Sequence, residues 1–108
     1  MDAIYLELQR RCGGFDLPDE MGVRWAADQM IVSHPIYWHT YFIAELIAHQ
    51  TREAILAEDG ALLGNAKVRD FLMNRYYRTG ASVPWLEKIE RATGKPLSGE
   101  AFFRYLNK

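Results

Sequence analysis

The sequence has a single cysteine, Cys12, which excludes an internal disulfide and a multi-cysteine zinc site and fits a reducing compartment. It has almost no net charge. Thirteen Lys and Arg face fourteen Asp and Glu, for a formal net charge of −1, so nothing draws it broadly to nucleic acid or an anionic membrane. No apolar run reaches the roughly 18 residues a membrane-spanning helix needs, because His39, Glu45 and His49 interrupt the longest one. Asp2 and Glu7 stand where a secretory leader would be basic and then apolar. The expectation is a soluble, untargeted, cytoplasmic chain. No stretch alternates apolar and polar residues over strand length, and β-branched clusters are scarce. There is no Gly-rich phosphate loop, since Gly13-Gly14 precedes no P-loop lysine and serine. Internal repeats, low-complexity segments and linkers are also missing.

What is present is apolar and aromatic. Of 108 residues, 49% are hydrophobic and 13% aromatic. That length fits one domain. A chain this short buries a limited fraction of its surface, so some aromatic surface is left for a partner.

The organising stretch is Ser33–Glu58, SHPIYWHTYFIAELIAHQTREAILAE. No Pro or Gly follows Pro35 until Gly60, so it can run as one helix of about six turns. Ser33 or His34 can cap it, and Pro35 suits the first turn. Its first half is apolar nearly all round, the pattern of an enclosed helix. The other helices are read around it. Asp2 to Arg11 is a short helix capped by Asp2 and ended by Gly13-Gly14. Phe15 to Gly22 is turn-rich, and Val23 to Val32 is ambiguous. Gly60 and Gly64 bracket a turn. Asn65 caps a helix over 66–79, with Val68, Phe71, Leu72 and Tyr76 on one face, and Gly80 stops it. Ser82 caps the next helix, which buries Trp85 or Leu86, Ile89 and Ala92 and ends at Gly94. Ser98 caps the last, with Leu97 and Phe102 as a hydrophobic staple. The fold class is therefore all-α, about five helices around one long central buried helix, roughly residues 35–58, in a single domain.

The candidate chemistry is sparse. His34, His39 and His49 do not have ligand spacing: five residues on a helix diverge, and ten place the rings about 15 Å apart along the axis. The His-Glu-x-x-His pair is absent. Cys12 beside Arg10 and Arg11 has neighbours that can lower a thiol pKa, yet a lone cysteine in a helix's last turn is ordinarily inert. A helix-turn-helix over Ala66–Thr79 and Ser82–Thr93 would set Glu87 and Glu90 on the reading helix, a poor base-reading face. The tyrosine-rich start of the long helix is more suggestive. Tyr37, Trp38 and Tyr41 carry polar tips there, although such a cluster is more often core packing.

Two stretches, WHTYFIAELIAHQTREAI (Trp38–Ile55) and GASVPWLEKIERATGKPLSGEAFFRYL (Gly80–Leu106), carry a family likeness. The shared tail is Gly80-x-Ser82-x-Pro84-Trp85, Thr93-Gly94, then a helix ending Tyr105-Leu106. The shared helix pattern is an aromatic, then Tyr41-Phe42, with Gln50 and Glu53-Ala54 further on. Tyr5-Leu6 matches as well. In these features the chain resembles the C-terminal end of the angiotensin-converting-enzyme-like zinc peptidases, the peptidyl-dipeptidase A family. It is more distantly similar to the thimet oligopeptidase and oligoendopeptidase F group.

The resemblance implies a helical clamp around a deep channel, with zinc held by a His-Glu-x-x-His helix and a downstream Glu. This sequence holds none of those ligands, so no metal residue is expected here, and zinc is implied only for a complete family member. It implies that Tyr41 is the catalytic tyrosine that donates a hydrogen bond to the tetrahedral intermediate. Trp38 falls where the family has a tyrosine for the substrate's C-terminal carboxylate, a role an indole cannot fill through a hydroxyl. Thr40 replaces a chloride-binding arginine, so chloride activation is not expected. Tyr37 and His34 complete the substrate-binding candidates. His34 lies too near Tyr41 to be the family's upstream histidine, and strict alignment puts Met30 and Val32 near those places. The expected partners are the rest of a peptidase fold or a second copy in a homodimer, and a peptide substrate. The alternative is a stand-alone helical interaction or oligomerisation module without catalysis.

Overall fold

A computed structural model describes residues 2–14 and 16–107, with no side chain described at 22 and 23. Phe15, at the start of the predicted turn-rich stretch, lies outside the described residues. Among these the chain is all-α, as its sequence predicts, and no strand occurs. The elements fall into two compact units, residues 1–41 and 42–108.

In the first unit, α1 spans Asp2–Leu8 and widens into a π-type turn over Gln9–Gly13, ended by Gly14 at φ 74°. Glycine is needed there because the left-handed region is open to it without a Cβ clash. The Asp2 carboxylate accepts a hydrogen bond from the Trp25 indole N–H at 2.8 Å. The ambiguous stretch resolves into a 3₁₀ helix, Asp19–Ala27, and a short α2, Gln29–Ser33. Asp28 caps α2, its Oδ1 accepting from the Met30 N–H at 2.8 Å. That Asx cap satisfies one of the orphan donors of a helix start.

The long helix α3 is His39–Asp59 and begins later than Pro35. The cause is local. A residue before proline is pushed out of the α region, so His34 leaves the helix (φ −135°, ψ 69°) and α2 stops at Ser33. The Tyr37 N–H then donates to the His34 carbonyl at 3.1 Å, closing a four-residue turn. Ser33 and His34 therefore end one helix instead of capping the next. The enclosure expected of α3 is found in its second half, where Gln50, Thr51 and Ile55 are buried. Its first half is open, with Tyr41 and Phe42 about half exposed.

The second unit packs α4 (Ala66–Leu72, continued by a π-type turn Met73–Tyr77), α5 (Trp85–Thr93) and α6 (Glu100–Leu106) with this second half of α3. Asn65 caps α4 as its sequence predicts, accepting from the Lys67 N–H at 3.0 Å. Ile55, Phe71, Ile89, Ala92 and Ala101 form the core, each large aliphatic or aromatic one contributing about 1.5–3 kcal/mol by burial. Ile89 and Ala92 are buried, whereas Trp85 and Leu86 are both half exposed. Two predicted caps are replaced. Ser82 lies before Pro84, and its hydroxyl donates to the Thr79 carbonyl. Gly99 occupies the N-cap position of α6 without a side-chain bond, while the Ser98 N–H turns to Gln50.

Gln50 has no exposed surface and is fully used. Its Nε2 donates to Thr93 Oγ1 at 2.8 Å and to the Lys95 and Pro96 carbonyls at 3.1 and 3.2 Å. Its Oε1 accepts from the Ser98 N–H at 2.9 Å. This one amide fastens α3 to the α5–α6 connection. Arg75 makes a second tie. It grips Glu58 at 2.7 and 2.8 Å, donates to the Ala92 carbonyl at 2.8 Å, and lies 4.2 Å over the Phe71 ring.

Candidate functional site

The four residues singled out from sequence meet on the structure. The turn His34-Pro35-Ile36-Tyr37 sets the His34 and Tyr37 rings 5.8 Å apart. At the entry of α3, Tyr41 lies edge-on to Tyr37 at 5.8 Å and 5.4 Å from Trp38. These centroid separations are those of attractive aromatic pairs. The helix start sets the spacing: the Tyr41 N–H donates to the Trp38 carbonyl and the Thr40 N–H and hydroxyl to the Tyr37 carbonyl. All four belong to the first unit.

Exposure separates this cluster from core packing. Tyr37, Trp38 and Tyr41 are 45%, 49% and 50% exposed. The Tyr41 hydroxyl makes no hydrogen bond among the described residues, so it is available to an incoming acceptor. The Trp38 indole N–H is committed, donating to Asp28 Oδ1 at 3.3 Å. Trp38 therefore offers a ring face and no polar group. His39 and Thr40 are beside the cluster, and Met30 is on α2, where Asp28 accepts from its backbone N–H.

Two positioning residues stand outside the sequence-derived set. Asp28 caps α2 and holds Trp38 through the same oxygen. An Asp immediately before Gln-Met-Ile-Val is a cap signal that the sequence does carry. Ile36 has no such signal, because its peculiarity is conformational. It has φ 66°, the left-handed region, and is 87% exposed. Pro at the second position and positive φ at the third are the marks of a type II turn, where glycine is the usual third residue.

Away from the cluster, His49 packs 4.4 Å from Tyr105 and 5.4 Å from Phe102, with Glu45 at 3.7 Å. Among the described residues no three His, Cys, Asp or Glu side chains form a metal-holding group. Among the described residues no such set fits the zinc that the resemblance implies. Nor is any helix among them long and apolar enough to cross a membrane. The arrangement can stack against a ligand's apolar or aromatic groups and donate one hydroxyl proton.

Comparison with protein-family models, with curated proteins and with solved structures finds no match to this chain.

Proposed function

We propose that the chain is the C-terminal substrate-channel portion of a zinc-dependent peptidase and is inactive by itself. One observation carries the reading. Tyr41, the residue the resemblance makes catalytic, sits on an exposed aromatic cluster with its hydroxyl unengaged and with Tyr37, Trp38 and His34 around it. A second supports it: Gln50 fastens the two stretches that carry the resemblance. In this reading the aromatic rings take the side chains of a bound peptide. The Tyr41 hydroxyl donates to the oxygen that becomes negative as the peptide carbonyl turns tetrahedral, so the bond strengthens in the transition state. Zinc would be held by residues outside this chain.

The test is titration with a phosphinic tripeptide, whose tetrahedral phosphinate mimics that intermediate, against the same peptide with a planar amide. We expect Trp38 fluorescence and the ring signals of Tyr37 and Tyr41 to shift. Tyr41→Phe should weaken the phosphinic peptide more than the amide. Unmoved signals at all three positions with millimolar peptide would end the reading.

The exposed apolar side chains favour a second reading, a helical interaction module without catalysis. Ile36 and Leu63 are 87% and 94% exposed. Under that reading the cluster is a contact for a second copy, and Tyr41→Phe leaves phosphinic and amide peptides alike.

A further inference from the structure

We infer that the groove between α3 and α4 binds an amphipathic helix of another protein segment whose apolar stripe is edged by carboxylates. Two adjoining hollows, about 410 and 550 Å³, share Leu62, Val68, Leu72 and Tyr77 in their linings, and the first lies between α3 and α4. Its walls are helical stripes. Ile47 and Ile55 are eight residues apart on α3, and Val68 and Leu72 four apart on α4, which keeps each pair on one face. It lies wholly within the second unit and holds none of the four aromatic-site residues, so it stands apart from the peptidase reading.

Two features choose the occupant. The first is backbone satisfaction. Among the described residues there is no strand, so an extended peptide would find no ladder to pair with in an apolar groove. A helix brings its own backbone hydrogen bonds and buries only side chains. The second is charge. The charged side chains lining the groove are Arg52 and Arg69. Neither makes an ion pair or a side-chain hydrogen bond among the described residues. Lys67, Arg75, Arg91 and Arg104 of this unit are paired, with Asp59, Glu58, Glu87 and Glu53 respectively. Two unmatched arginines beside an apolar groove complement carboxylates on the edges of the incoming helix.

The experiment uses the whole chain and two fluorescent synthetic helices of about 18 residues, long enough to hold helical form. Both carry leucines at i, i+3, i+4 and i+7; one has Glu at the stripe edges and the other Lys. Fluorescence anisotropy at low salt should show the Glu helix binding roughly fivefold tighter, the gap closing at high salt. Arg69→Glu should reduce that preference, and Arg52→Glu with Arg69→Glu should invert it. Leu63→Asp should weaken both helices, and because Leu63 is 94% exposed the fold survives the change. Circular dichroism checks each variant. Equal binding of the two helices, no binding of either, or a groove that sedimentation and competition show to be filled by a second copy would each overturn the inference.

Discussion

Gln50 shows how much one side chain holds. Its amide uses both ends, donating to two carbonyls and a hydroxyl and accepting from the Ser98 N–H, with no surface left exposed. Gln50→Met keeps most of the volume and leaves those partners without it. We expect a loss of about 1–3 kcal/mol, read from the midpoint of urea unfolding. Gln50→Glu should also destabilise, since a carboxylate oxygen would then face the Lys95 and Pro96 carbonyls. Tyr41 should behave oppositely. Its hydroxyl makes no hydrogen bond among the described residues, so Tyr41→Phe should leave the melting temperature unchanged. In a complete enzyme the same change should lower kcat by about 10²–10³ with little effect on KM. A destabilised variant with normal turnover would end the catalytic role.

At the scale of elements, the α3–α4 contact carries a titrating group. Tyr76 and Thr51 share a hydrogen bond of 2.6 Å. Burial raises the Tyr76 pKa above its ordinary value of 10.0, against the opposing effects of the Thr51 bond and the Arg75 charge. The folded chain thus holds that proton to higher pH than the unfolded chain. The stabilisation is full below pH about 10 and is lost as pH rises through the raised value. A pH series of urea midpoints should show stability falling above pH about 10 in the native chain and less steeply in Tyr76→Phe. Helix stops are more legible from sequence than helix starts: Ser33 or His34, Ser82 and Ser98 do not cap the helices expected of them, and Asn65 does. Gly14 and Gly94 stop helices because left-handed φ suits glycine, and Asn65 starts one because its carbonyl reaches an orphan N–H, whereas the helix expected to run to Thr79 and stop at Gly80 already ends at Tyr77 with Arg78 as its C-cap. The start of α3 is harder to read, because a favourable first-turn proline competes with the restriction proline puts on its predecessor. In the sequence Gln50 enters as part of the pattern that carries the resemblance, with no structural role assigned to it. Its partners come from residues 93–98, and nothing local announces them. The aromatic cluster is legible because a helix entry sets its spacing, whereas its exposure depends on what packs over it.

At the scale of the whole molecule, each unit carries its own fastenings. Trp25 to Asp2 and Trp38 to Asp28 belong to the first, and the Gln50 and Arg75 ties to the second. A fragment of residues 39–108 should therefore keep the α3–α6 helices. Far-UV circular dichroism with a cooperative thermal transition would show it; a featureless melt would count against it. The intact chain still exposes Ile36, Trp38, Tyr41 and Phe42 around the entry of α3. We expect self-association, or binding of a hydrophobic dye, that weakens in Phe42→Ser. A clean monomer at high concentration with no dye binding would remove the homodimer from consideration.

The turn at Ile36 has a consequence in handedness. At φ 66° an L-isoleucine occupies backbone that suits its mirror image, at a cost of roughly 1–2 kcal/mol. Ile36→Gly should relieve that strain while loosening the unfolded chain. A D-alanine placed at the same position by chemical ligation favours positive φ and restricts the unfolded chain as well, so it should exceed glycine in stability. Thermal melts that rank D-alanine above glycine, and glycine above the native isoleucine, would separate what the backbone of this turn costs from what its side chain contributes.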